Sequence, residues 1–198
     1  MTTEDVIKKT LMELLVNYSA DDITVKMLCM EAGISKQTLY NHYHCIMDVL
    51  EDSYRDSFRE ANEDGDTHTD ILKDFCNLLE ILADNRKATM HVYNSSHRDE
   101  LMGMIHRRGE RLISRSLALC GERKGYIEDD RDREFTFRFY MYIFMGIVES
   151  YLEDNMKDAP EEIATRSSRM LRYHIRRSLK SIVTTGDDRG ENIDGFKS

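Results

Sequence analysis

TVKMLCMEAGISKQTLYNHYHCIMDVL, running from Thr24 to Leu50, decides how this chain is read. Thr24 is placed to cap a short helix, Val25 to Ala32, and Gly33 ends it, because glycine accepts the left-handed backbone that such a turn needs. Ser35 caps a second short helix, Lys36 to roughly His44. Two short helices joined by a glycine turn are the pattern of a helix-turn-helix unit. Small Cys29 and Ala32 allow the helices to approach, and Leu28, Ile34 and Leu39 supply their common core.

The second helix carries many hydrogen-bonding side chains. At about 100° per residue, Leu39 and Tyr43 point together toward the core. Gln37, Asn41 and His44 then point away, with Thr38 and Tyr40 on the shoulders. Gln37 and Asn41 stand one turn apart, and amide side chains pair bidentately with adenine in the major groove. Hydroxyls and cations on the shoulders suit phosphate oxygens, which position a protein without reading sequence. A helix packed in this way on a second short helix is read as a DNA-reading element rather than as an ordinary solvated face.

Working outward, the first helix starts at Thr2 or Thr3, with Glu4 and Asp5 favourable in its first turn. Val6, Ile7, Leu11, Leu14, Leu15 and Tyr18 form its apolar stripe. A helix from Ile46 to Asn62 follows, then a polar break, EDGDTH. The stretch ILKDFCNLLEILA gives another stripe, Asn85 is placed to cap RKATMHVYN, and a long helix with Leu101, Met104, Ile105, Leu112, Ile113 and Leu117 inward follows SSHRDE. CGERKGYIEDD reads as a loop from its two glycines and its charges. Glu134 to Asp154 is apolar on nearly every side and needs burial on every side. In so short a chain, one side is met by the subunit's own core and the other by a partner subunit, with Gly146 permitting close approach. The single proline, Pro160, suits a helix first turn, and Ile163, Met170, Leu171, Ile175, Leu179 and Ile182 form the last stripe. The tail from residue 185 has little to bury.

The composition fits this all-α reading. The chain has 198 residues, 40% apolar and 33% charged, enough for a packed core with long amphipathic helices. β-strand alternation and internal repeats are absent. The four cysteines, Cys29, Cys45, Cys76 and Cys120, are scattered, which points to free thiols in a reducing cytoplasm. The longest apolar run, Phe139 to Val148, is too short to cross a bilayer. The net charge of −9 argues against broad electrostatic attraction to nucleic acid, but leaves room for one local DNA-binding face.

Enzyme and metal readings find no foothold. Glu-x-x-His and His-x-x-x-His spacings, nucleophile elbows and phosphate loops are absent, so no metal or cofactor is expected. His91, His97 and His106 read as surface or satisfied core residues. The methionines read as adaptable packing, and HRRGERLISR (His106 to Arg115) as a solvated face.

The Thr24–Leu50 stretch resembles the signature of the TetR family of bacterial transcriptional regulators: threonine, alanine-glycine, an aliphatic, serine, a leucine-tyrosine pair, histidine and an aromatic. It covers about the first quarter of the chain. ADNRKATMHVYNSSHRDEL also resembles a C-terminal domain type of that family, found in coactivator-like members linked to dihydroxyacetone metabolism. The resemblance implies about nine helices: a three-helix DNA-binding domain, 1–46, then a helical regulatory and dimerisation domain, 47–184, before a flexible tail, 185–198. It implies base contacts from Lys36, Gln37 and Asn41, and phosphate contacts from Thr24, Ser35, Thr38, Tyr40, His42 and His44. Tyr43 is the aromatic that holds the reading helix from behind. The final two helices are expected to form a homodimer, with Phe144, Ile147, Val148, Tyr151, Met170, Leu171 and Ile175 at the interface. The expected partner is double-stranded DNA carrying a pseudo-palindromic operator, with a small-molecule effector or a protein partner controlling a repressor.

Two features depart from the family pattern. Ile46 stands where a phosphate-contacting lysine is usual, after Cys45, a poor cap. Residues 1–50 hold Lys8, Lys9, Lys26 and Lys36 against seven carboxylates. These features motivate an alternative, a coactivator-like protein that binds DNA weakly alone and regulates transcription with a second protein.

Overall fold

The computed structural model describes residues 1–60, 71–124, 130–167 and 169–170. The described residues form an all-α fold: α1 (Thr3–Asn17), a 3-10 turn (Ala20–Asp22), α2 (Val25–Glu31), α3 (Lys36–His42), α4 (Ile46–Glu60), α5 (Ile71–Asp84), α6 (Arg86–Tyr93), α7 (Arg98–Lys124) and α8 (Asp130–Glu153). Residues 160–167, starting at Pro160, are helical as well.

The caps read from the sequence form. The Thr2 side chain accepts from the Asp5 amide while Asp5 accepts from the Thr2 amide, closing a capping box on α1. Thr24 caps α2 by accepting from Met27, and Ser35 caps α3 by accepting from Thr38. Gly33 adopts φ +65°, the left-handed turn between α2 and α3, and the Ile34 amide returns to the Cys29 carbonyl at 3.0 Å.

Three boundaries differ. α3 ends at His42, and Tyr43 is extended, which carries its ring into the core and its hydroxyl to Asp52 of α4 at 2.8 Å. Cys120 to Lys124 belong to α7 rather than to a loop, and Asp130 already belongs to α8. Glu122, Arg123 and Lys124 are good helix formers, and the two basic residues complement a helix C-terminus, so one glycine does not stop the helix. Asn85 occupies the N-cap position of α6 without a capping bond; its side-chain amide donates instead to the Ile81 carbonyl at 2.9 Å and closes α5.

The core begins on α1, whose Ile7, Leu11, Leu14 and Leu15 are buried. α1 packs on α2, α4 and α6, so the N-terminal helices are seated on the rest of the molecule. Polar ties fix this seating. The Asp21 carboxylate accepts from the amide and hydroxyl of Ser96, between α6 and α7, and His91 Nδ1 donates to the Leu15 carbonyl at 2.7 Å. The Tyr54 hydroxyl of α4 meets Thr89 Oγ1 at 2.7 Å, and Thr89 donates on to the Leu82 carbonyl. α7 packs on α8 through Gly109: a Cβ there would come within 2.7 Å of Cδ1 of the Phe144 ring, which also lies tilted against Phe75.

α8 separates its apolar residues differently from the expected dimer face. Phe144, Val148 and Tyr151 are buried within the single chain, and Ile147 is half-buried. Those three belong to the protomer's own core, with the Phe144 ring set between Gly109 of α7 and Phe75 of α5. The side left open carries Phe135 at 67% exposure, Phe139 at 50% and Tyr142 at 77%. Gly146 lies on it too, with nothing within 4 Å of where a Cβ would stand. Met170 is 63% exposed. Leu171, Ile175, Leu179, Ile182 and the tail 185–198 lie outside the described residues, as does the EDGDTH break.

Among the described residues, no helix is long and apolar enough to cross a membrane.

Candidate nucleic-acid interface

α3 presents the polar face expected of it. Leu39 and Tyr43 are buried, while Lys36, Gln37, Tyr40, Asn41, His42 and His44 are exposed. Gln37 Nε2 donates to Asn41 Oδ1 at 3.1 Å across one helical turn. The bond joins the two amides into one unit that still offers the Asn41 amino group as donor and the Gln37 oxygen as acceptor. That outward pair complements an adenine edge, with its N7 acceptor and N6 donor. Lys36 occupies the first helical position, where its stem is free to swing.

The residues read as phosphate contacts divide into three groups. Thr24 and Ser35 are exposed N-caps, and the Ser35 and Thr38 hydroxyls are 2.8 Å apart. Their hydroxyls already serve helix ends, and those ends direct amide groups and positive dipole outward, toward any anion. Tyr40 and His44 are open to solvent. His42 is held differently: its Nδ1 lies 3.0 Å from Oε1 of Glu4 on α1, so the imidazole donates to a carboxylate within the protein.

The start of α4 answers the departure at Cys45 and Ile46. Oδ2 of Asp48 accepts from the amides of His44 and Cys45 at 3.0 and 3.1 Å. The carboxylate at the third helical position thus supplies the half of a capping box that reaches back to the N-cap amide, the half that needs no capping side chain from Cys45. It also sets a negative charge against the positive end of α4, beside Ile46, where the family resemblance expects a lysine. An acidic residue three positions after a poor cap was the available sequence signal for it.

Behind α3 lies a charged network. Lys8 Nζ of α1 is 3.3 Å from Asp52 and is bonded to Asp56, and Arg55 approaches Asp52 at 3.1 Å. Tyr43 donates its hydroxyl to the same Asp52 carboxylate. Burial works to raise the Asp52 carboxyl, but the Tyr43 hydroxyl, Lys8 and Arg55 outweigh it and hold it below its ordinary value of 3.8. Burial, together with that carboxylate, raises the Tyr43 phenol. The recognition helix is therefore clamped to both α1 and α4 by one carboxylate. The polar partners sit on separate helices, which is why the sequence pattern gave no sign of them.

The other sequence candidates are dispersed. His97 pairs with Glu100, and His106 lies 3.7 Å from Glu110. In the basic run, Arg107 pairs with Glu51 at 2.8 Å, and Arg108 lies over the Phe58 ring at 4.8 Å. Asn77 Nδ2, Arg108 Nε and Tyr151 Oη are buried without a hydrogen-bond partner among the described residues. Burial pushes the Cys76 thiol up to about 12, with the nearby Glu80 carboxylate adding to it. Groups of three or more metal-ligating side chains are absent among the described residues.

A glycine-turned pair of short helices, carrying an exposed amide pair and seated on a larger helical body, defines a helix-turn-helix transcription regulator. Residues 69–173, more than half of the chain, match the C-terminal region of TetR-type transcriptional regulators, and the chain belongs to that family. It is a family of transcription regulators rather than of enzymes. No curated protein matches the chain in sequence. Among solved structures, the fold is similar to that of the dihydroxyacetone kinase operon activator DhaS. The TM-score is 0.70 at 17% identity, over 88% of this chain and 97% of that one. It is also similar to the fatty acid degradation regulator FadR from Bacillus halodurans, with a TM-score of 0.57 at 16% identity over 86% and 95% of the two chains.

Proposed function

We propose that this regulator is a cytoplasmic homodimer that binds a pseudo-palindromic DNA site through two copies of α3 and represses transcription until an effector or partner engages its helical body. The observation that carries the reading is the exposed Gln37–Asn41 amide pair beside Lys36, on a helix whose opposite face, Leu39 and Tyr43, is buried. One α3 per subunit enters each of two successive major grooves. The dimer forms on the open side of α8, where Phe135, Phe139, Tyr142 and Gly146 repeat at helical spacing. Three buried donors on Asn77, Arg108 and Tyr151, without a partner among the described residues, support an effector that reaches the interior, since an unmet buried donor costs about 1–3 kcal/mol.

A second reading is favoured by the acidic reading head. Asp48 caps α4 where a cation is usual, and Glu4 occupies His42. On that reading, the chain binds DNA only with a second regulator. A mobility shift on DNA flanking its own gene separates the two. A specific complex at moderate salt, lost with Asn41→Ala and weakened with Tyr40→Phe, supports direct binding. A complex seen only when cell extract is added supports the partner-dependent form, and none under either condition contradicts both.

A further inference from the structure

An open groove of about 680 Å³ runs between the end of the reading helix and the first turns of α7. One wall carries Tyr40, Ile46 and Met47, and the other Gly103 and Met104. The volume lies within the range of small-molecule sites, and its two walls come from the two parts of the molecule that regulation must connect. Asp48, Glu51, Asp99 and Glu100 line it with His44, His97 and the guanidinium of Arg107; Glu100 is paired with His97 and Asp48 with two backbone amides, yet four carboxylates still face one guanidinium. Arg107 is spent on Glu51, at 2.8 Å. An anion would meet carboxylates here, whereas a cation would be drawn in and its apolar body would find the methionines and the exposed Tyr40 ring.

Gly103 supplies an independent observation. It sits inside α7, where glycine costs about 1 kcal/mol relative to alanine. Nothing in the packing requires it: a Cβ there would touch only Nη1 of Arg107, at an ordinary 3.5 Å. What the missing side chain does is keep the groove wall low. Gly109 on the same helix is the contrast, since there the Phe144 ring fills the space.

We propose that this groove is a binding site for a small organic cation with an apolar or aromatic body. The site goes beyond the DNA-binding reading and does not depend on it, although Tyr40 and His44 put any occupant against the reading head.

Calorimetry on the full chain without DNA tests it, using tetraphenylphosphonium as probe and tetraphenylborate as a control of like size and opposite charge. The phosphonium should bind once per chain and the borate should not. Gly103→Leu should weaken phosphonium binding by about tenfold or more, a shift that calorimetry resolves readily. Asp99→Asn with Glu100→Gln, at exposed positions, should weaken it in the same direction without filling the groove. Absence of phosphonium binding, equal binding of both ions, or binding unchanged in both variants would overturn the proposal.

Discussion

Asp48 shows how one side chain decides two properties at once. Its carboxylate receives the His44 and Cys45 amides, so Asp48→Ala should cost about 1 kcal/mol, the usual worth of a helix cap. The same change removes a negative charge from the proposed DNA-facing end of α4, so affinity for arbitrary duplex should rise. Chemical denaturation and a salt-dependent binding titration on one protein sample check the two effects, which have opposite signs. Asp52, the most buried of the carboxyls held below their ordinary values, contributes to the pH dependence. Its folded-state pKa lies below the ordinary 3.8, so the unfolded chain takes up that proton more readily. The stability it supplies is complete above about pH 5 and is lost as pH falls through 3.8 toward the folded value. Thermal melts of wild type and Asp52→Asn should therefore diverge at neutral pH and converge in acid. Parallel curves at every pH would remove the Tyr43–Asp52–Lys8 clamp from the account.

Among the elements, α7 and α8 bear the tightest packing. Gly109→Ala should cost about 1–3 kcal/mol, as overpacking does, because the Phe144 ring has no room to retreat from Phe75. Gly146→Ala should raise the isolated protomer's stability by about 0.5–1 kcal/mol, since its surroundings are open and alanine is the better helix former. A comparison of denaturation midpoints at low protein concentration distinguishes the two glycines. The open stripe on α8 makes a separate prediction at this scale: Tyr142→Glu should shift the protein from dimer to monomer in sedimentation analysis while its helical circular dichroism persists. A dimer that survives the change would place the subunit contact elsewhere.

For the molecule as a whole, local signals were legible and long-range ones were not. The capping threonines and serine, Gly33 and the periodic stripes of α1 to α5 act within one or two turns, so sequence spacing reports them directly. The face of α3 was legible for the same reason, as Leu39 and Tyr43 fix its rotation. The division of α8 into a covered and an open side was not. Phe144, Val148 and Tyr151 are apolar, but so are Phe135, Phe139 and Tyr142, and only the long-range packing of other helices, such as α7 at Gly109 and α5 at Phe75, settles which set is covered. The Asp48 cap had a short-range signal. The Glu4–His42 and Lys8–Asp52 pairs span much of the domain and had none. Together they describe an acidic molecule whose cationic groups near the reading head are largely paired, with Lys36 left at its first position.

The most direct measurement is the affinity of the purified protein for DNA from the region flanking its own gene, by fluorescence anisotropy at moderate salt, for wild type, Gln37→Ala and Asn41→Ala. Specific binding by the wild type is the expected result. Each substitution should cost about 1–3 kcal/mol, roughly tenfold to a hundredfold in affinity, with little change in binding to arbitrary duplex. Wild-type affinity that is the same for both DNAs, or specific binding unaffected by either substitution, would contradict the claim that this amide pair reads the operator.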